Sequence, residues 1–446
     1  MIVLGLGAGA VALDTSLNVA FPAISQALAL PVSGIQWIVI TYMLTFGALM
    51  LVCGRLGDSI GHLTVFRAGL VLNAAAFLIA SLAPGLAVMA PARLLQGAGA
   101  AACISCAPAL ATFLYPETQR MRALALYGAL FAVAQAIGPV VGGPLVELFG
   151  WRSVFAYRIP LVLLALVFSG HLARCPHARQ PFHAGAAVTL CVAAAALLGA
   201  IVSLQWRQAW PVAVAGLATG ALALAIFAHL QRTSGALFLP RQTFAAGPLM
   251  AINLLNLVIN GAAFAVLLLV PYALAARGLD MVRSGLVLAV SAIATSCAAQ
   301  AAPALAARIG RDALLPLGLA ACAAGLFAIA AWQPDTPLLW CGLGLALQGG
   351  GLGLFTVAYT DTVTGRLPMA DRGLAGGIVT ATRTFGIVAG ASLFSAIVAN
   401  VAPMDDFTAA FTRAFQVAAG LLLGASLVLL PWYWGARHHS AREDRP

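Results

Sequence analysis

An acid and a permanent cation stand inside apolar stretches of this chain. Asp14 lies in GAGAVALDTSLNVAFPAI and Arg93 in APARLLQGAGAA. A carboxylate in hydrocarbon costs several kcal/mol unless it is protonated, paired or facing water. Burial favours the neutral acid and a nearby cation favours the carboxylate, so such a group can be poised to exchange a proton. The Arg93 guanidinium does not discharge and needs a partner or an aqueous cavity. Asp14 is its natural counter-ion if the two stretches adjoin. Asn18 follows Asp14, and Gln96 follows Arg93, on the same helical face. Two readings stand, a static ion pair between helices and a proton or cation site. Asp14 is the one acid placed deep in an apolar stretch, which favours the second.

Four further patterns carry candidate roles. GRLGDSIGH places Gly54, Gly57, Asp58 and Gly61 in a short connection. Its glycines permit a tight reversal, and its acid can meet a helix N-terminus, as a latch or as a solvated turn. AQAIGPVVGG contains Gln135, Gly138, Pro139, Gly142 and Gly143. Gly138 and Gly142 form a G-x-x-x-G that admits a close helix neighbour, and Pro139 is expected to kink its helix. Asn253, Asn256 and Asn260 recur at i, i+3 and i+7, giving one polar face that lines a watery cavity or bonds to other helices. Arg383 in TATRTFGIVAG needs the same explanation as Arg93, whereas Arg158, near the start of its stretch, is expected to snorkel outward.

The elements that must hold these residues follow from composition. Of 446 residues 62% are hydrophobic and 8% charged, against about 25% charged in a soluble domain. A water-soluble enzyme and a nucleic-acid binder are thereby excluded. Breaking the chain at charged and Pro/Gly-rich punctuation gives fourteen stretches long enough to span a bilayer: 2–24, 36–54, 65–83, 86–113, 122–146, 152–171, 184–204, 209–229, 246–272, 283–303, 313–332, 337–360, 373–400 and 411–434. Twelve spans is the alternative. The expected fold is an all-α integral membrane protein.

All 23 basic residues are Arg. With fourteen spans, the loops and tail on the side of the termini hold 15 of them, the opposite loops 5, and the spans Arg93, Arg158 and Arg383. That bias puts both termini in the cytoplasm. No basic leader or small-residue cleavage site precedes the first stretch, which is read as a retained helix. Cys103 and Cys106 form a C-x-x-C inside an apolar stretch, where packing outweighs redox or metal chemistry. No metal or cofactor is expected. The loop GRLGDSIGH has a weaker echo in ARIGRD (307–312), at the equivalent place if spans seven and eight are set aside. The implied plan is an N-terminal six-helix bundle (1–172), a linker with two extra helices (173–245), a C-terminal six-helix bundle (246–434) and a tail (435–446), the bundles related by a parallel repeat. The chain has no G-x-x-x-x-G-K-[ST] phosphate loop, so active transport would draw on an ion gradient.

Together the motifs resemble the major facilitator superfamily, in its fourteen-span drug:proton antiporter branch. The matching pieces are LDTSLNVAFPAI, GRLGDSIG, RLLQGAGAA, IGPVVGG, WRSVFAYRIP and GLAGGIVTATRTFGIVAG, in order along the whole chain. The resemblance implies Asp14 and Arg93 in proton coupling, Asp58 in a cytoplasmic gate, and Gly138–Gly143 in coupling movement to antiport. Three departures stand out. His62 and Leu63 replace the usual basic pair of the loop signature, Arg158 replaces the usual Asn before the span-six Pro, and span ten has no acid.

The expected activity is export of small amphiphilic or drug-like molecules in exchange for protons, by a monomer in the bacterial inner membrane. The cavity would be lined by Asn18, Gln96, Gln135, Asn253, Asn256, Asn260 and Arg383. The rivals are an importer of the same superfamily and a membrane sensor that moves no solute. Solute accumulation in vesicles with an acidified lumen separates the first rival from an antiporter, and solute flux of any kind excludes the second.

Overall fold

The computed structural model describes residues 2–113, 115, 119–172, 183–203, 209–233, 247–365, 372–401 and 407–443. Among these the chain is all-helical. In order the helices are α1 (Ile2–Ala27), α2 (Val32–Ile60), α3 (His62–Leu82), α4 (Leu86–Phe113), α5 (Arg120–Phe149), α6 (Ser153–Ser169) and α7 (Ala184–Ser203). They continue as α8 (Trp210–Thr233), α9 (Gly247–Ala276), α10 (Met281–Ile309), α11 (Arg311–Ala330), α12 (Leu338–Gly365), α13 (Arg372–Val401) and α14 (Phe407–Glu443). Thirteen are long and apolar enough to cross a membrane, and Ser153–Ser169 is a shorter apolar fourteenth.

The distribution of side chains is that of a protein solvated by lipid. Leu339, Leu427 and Val428 are 72, 76 and 70% exposed, while Arg93, Arg158, Gln96 and Asn256 are buried. In water that arrangement would be unstable on both counts. Within hydrocarbon, outward leucines cost nothing and inward polar groups find partners.

The chain packs as two compact units, Met1–Ala236 with Leu274–Ala289, and Leu237–Ala273 with Val290–Pro446. In the first, α4 packs along α2 and α3, α1 against α5 and α6, and α7 against α8 and α2. The two extra helices thus pack with the N-terminal set. In the second, α11 lies on α12 and α14, and α13 on α14 and α12.

One expectation changes, and parts of the plan lie outside the described residues. Most of the linkers (174–183 and 229–244) lies outside the described residues, as do 444–446. Helix α14 runs on through 435 to Glu443, beyond the span Phe407–Pro431. The stretch GRLGDSI is not a loop. It forms the last two turns of α2, and only Gly61, with φ +98°, makes the reversal into α3. A left-handed φ suits glycine, whereas Gly54 and Gly57 serve packing. A Cβ on Gly57 would meet the His62 imidazole and, at 3.1 Å, the Cys106 sulfur.

Candidate functional site

The first unit gathers its buried charge around Asp14. Helix α1 tightens to a 3-10 turn at Leu13–Thr15, where hydrogen-bond geometry is poorer and the backbone leans on neighbours. Two neighbours hold it. Thr15 Oγ1 donates to the Gln135 carbonyl of α5 at 2.9 Å. From α6, Tyr157 donates to the Ser16 hydroxyl at 3.2 Å and approaches the Leu13 carbonyl at 3.3 Å. The glycines of α5 allow this approach, because a Cβ on Gly142 would stand 2.8 Å from the Ser16 carbonyl oxygen. A Cβ on Gly138 would strike the Thr15 hydroxyl. Pro139 and Gly143 sit on the same helix against Gly285 and Met281, within the same unit.

The turn presents Asp14 to α4 and α6. Arg93 forms a two-pronged pair with it, Nη1 to Oδ1 at 2.8 Å and Nη2 to Oδ2 at 2.9 Å. Gln96 donates to Oδ1 at 3.0 Å and accepts from Arg93 at 2.6 Å. Arg93 is fixed further by the Ile38 carbonyl at 2.8 Å and by the Tyr42 ring, 4.4 Å from its Cζ. Such forked, charge-assisted bonds are the strong ones. Asn18, one turn beyond Asp14, is buried, and Gln135 is half-buried.

Arg158 corrects the expectation of snorkelling. It is fully buried, and its Nη1 donates to Asp14 Oδ1 at 2.7 Å. Nε bonds the Val154 carbonyl at 2.9 Å, and the Phe77 ring lies 4.4 Å from Cζ. Asp14 is therefore held by two guanidiniums. The backbone stays helical through Tyr157, and the Arg158 side chain turns inward onto Asp14 and not outward. The signal available in the sequence was the charge itself, three residues after buried Phe155.

At the end of α2, Asp58 faces Arg55 at 3.8 Å and His62 at 3.2 Å. His62 thus occupies part of the place its signature reserves for permanent cations. In α4, the Cys103 thiol donates to the Phe66 carbonyl and the Cys106 thiol to the Cys53 carbonyl, each at 3.8 Å.

The second unit carries a neutral cluster. Tyr359 of α12 donates to Asn253 at 2.7 Å and lies 3.1 Å from the Thr382 hydroxyl. Asn256 donates to Thr382 at 2.6 Å, and Asn260 to the Asn256 side chain at 2.9 Å. Asn256 and Asn260 are buried and Asn253 half-buried. Asn256 thus bonds across to α13, whereas Asn260 bonds within α9. Tyr359 and Thr382 escaped the sequence reading because nothing in the spacing of the Asn residues names the opposite partner. Arg383, beside Thr382, is exposed.

Comparison with known proteins points the same way along the chain. Residues 3–186 match the family model described as Major Facilitator Superfamily. The methylenomycin A resistance protein of Streptomyces coelicolor is 29% identical over 400 residues, covering 88% of this chain and 83% of that protein. The multidrug resistance protein Stp of Mycobacterium tuberculosis is 28% identical over 411 residues, covering 90% and 75%. The tetracenomycin C resistance and export protein of Streptomyces glaucescens is 27% identical over 410 residues, covering 90% and 76%. Among solved structures, a D-xylose-proton symporter aligns with a TM-score of 0.69 at 15% identity, covering 96% of this chain and 95% of that one. That likeness shows the fold.

Proposed function

We propose that the chain is a member of the major facilitator superfamily and exports drug-like solutes from the bacterial cytoplasm in exchange for external protons. Its relatives named for resistance and export support the direction and the solute class. The observation that carries proton exchange is the asymmetry of the charged cluster. Asp14 keeps 17% of its side chain exposed, while Arg93 and Arg158 keep 1% and 0%. The one member that can gain a proton is the one that remains reachable.

A proton on Asp14 removes the only negative charge in the cluster and leaves two guanidiniums facing a neutral acid. Buried like charges without a counter-ion are strongly unfavourable, so protonation from outside loosens the hold of α4 and α6 on α1. Release of that proton to the cytoplasm restores the forked pair as solute is taken up. No cofactor enters this cycle. The membrane potential alone contributes about 2.3 kcal/mol per charge per 100 mV, which sustains roughly fiftyfold accumulation. The Arg bias of the loops supports cytoplasmic termini. Pairing of Arg93 and Arg158 with an acid of their own chain supports a monomer.

The test is Asp14→Asn in proteoliposomes with an acidified lumen. The native protein accumulates solute and releases protons from the lumen, whereas the variant, less stable but still folded by tryptophan fluorescence, shows neither. Gradient-driven accumulation by the variant at the native rate overturns the coupling role.

A further inference from the structure

We propose that Arg158 is the docking point for a negatively charged group on the transported solute, so that organic monoanions bearing a carboxylate are preferred over lipophilic cations. This deepens the export reading by naming its solute class, and rests on it only for the direction of movement.

Charge balance carries the argument first. Asp14 is one anion between two permanent cations. Among the described residues of the same unit the other acids are Asp58, Glu147 and Asp280. Asp58 is engaged by Arg55 and His62, Asp280 by Arg283, and Glu147 accepts from the Val282 amide. The cluster therefore keeps one positive charge in excess inside the bundle, where uncompensated charge is costly.

The second observation is independent of that count. Arg158 Nη2 is buried and has no hydrogen-bond partner, while Nε and Nη1 are both satisfied. A guanidinium presents its donors in a rigid fork that matches a carboxylate. One edge of the fork holds Asp14 and the remaining donor is unfilled. The Phe77 and Phe155 rings, 4.4 and 5.4 Å from Cζ, fix the plane of the group. An arriving carboxylate, entering past the exposed edge of Asp14, would satisfy Nη2 and bring the cluster to neutrality. A cationic solute would meet the same excess as repulsion.

Three probes sharing one aromatic body separate these outcomes: pyrenebutyrate, pyrenebutanol and pyrenebutyl-trimethylammonium. Binding to the purified full-length protein in lipid nanodiscs is read by energy transfer from tryptophan to pyrene. The native protein is expected to bind the carboxylate about tenfold or more tighter than the ammonium, the scale of one charge-assisted hydrogen bond. In Arg158→Asn, which restores the residue usual at this place, that ratio falls to about one. In Arg158→Lys, which keeps charge without the fork and serves if the Asn variant does not fold, it falls to about threefold. A native ratio near one, or a ratio unchanged in either variant, overturns the proposal. Energised vesicles keep the two readings apart. Accumulation of the alcohol with no carboxylate preference sinks the anion site alone, whereas Arg158-dependent carboxylate binding without accumulation of any probe sinks the export reading alone.

Discussion

Both units bury polar groups at membrane depth, but of different kinds. In the first, Asp14, Arg93, Arg158 and Gln96 make a charged cluster. In the second, Asn253, Asn256, Asn260, Tyr359 and Thr382 make a neutral one. Neutral amide and hydroxyl bonds inside a membrane contribute modestly, on the order of 1 kcal/mol each, and no single proton changes their sum much. The charged cluster behaves otherwise, because one proton alters every bond to Asp14 at once. The chain thus separates a structural tie from a titratable one, and each can be broken alone.

The largest effect should come from unbalancing the charges. Asp14→Asn leaves two buried guanidiniums without an anion and should lower stability by about 3–5 kcal/mol, as well as ending proton exchange. The double variant Asp14→Asn with Arg158→Asn removes one of the orphaned cations and should recover much of that loss, though not transport. Thermal unfolding of the purified protein, followed by tryptophan fluorescence, reads both. A double variant less stable than the single one would show that Arg158 is held mainly by Val154 and the aromatic rings, and not by its pairing with Asp14.

How much of this was legible in the sequence depends on what each residue needs. Asp14 and Arg93 were legible because an ionised group in an apolar run has few explanations, and each needs the other. All fourteen helices were legible because lipid demands long apolar runs. Arg158 was misjudged because apolar composition does not reveal whether a cation near the start of a span turns inward to an acid or outward to the interface. Gly54 and Gly57 were misjudged because turns and close helix contacts both select glycine, and only a positive φ, as at Gly61, tells them apart. The Asn face was visible as a period, but Tyr359 and Thr382 come from helices about 100 residues later in the chain.

The next effect tests the close approach that shapes the charged cluster. A Cβ on Gly142 would lie 2.8 Å from a backbone oxygen of α1, which has no flexible end to move aside. Gly142→Ala should therefore cost about 1–3 kcal/mol and slow transport by displacing Asp14 from Arg93. Gly424→Ala, on α14 of the second unit, adds a methyl where nothing lies within 4 Å and should stay within about 0.5 kcal/mol of the native protein. Equal losses from the two substitutions would remove the argument that α5 positions the acid.

Tyr359→Phe probes the neutral side. It deletes the bond to Asn253 at 2.7 Å and leaves the stacked contact with Phe355, centroids 5.7 Å apart, in place. A loss of about 1 kcal/mol in stability is expected, with proton release per solute unchanged. A changed proton stoichiometry in this variant would break the contrast between the units, because a neutral hydrogen-bonded tie has no charge to exchange.

The smallest effect belongs to the charged group that resembles the Asp14 cluster least. Arg55 faces Asp58 at 3.8 Å, with both side chains 36% exposed. At that distance and exposure the attraction is screened, and ordering two long side chains offsets most of it. Arg55→Ala should shift stability by less than about 0.5 kcal/mol. His62 approaches the same carboxylate more closely, at 3.2 Å, with only 11% of its side chain exposed, so His62→Ala should cost more than Arg55→Ala in the same unfolding assay. The reverse order would mean that charge alone governs the end of α2. The expected order would mean that burial decides what a contact with Asp58 is worth, as it does at Asp14.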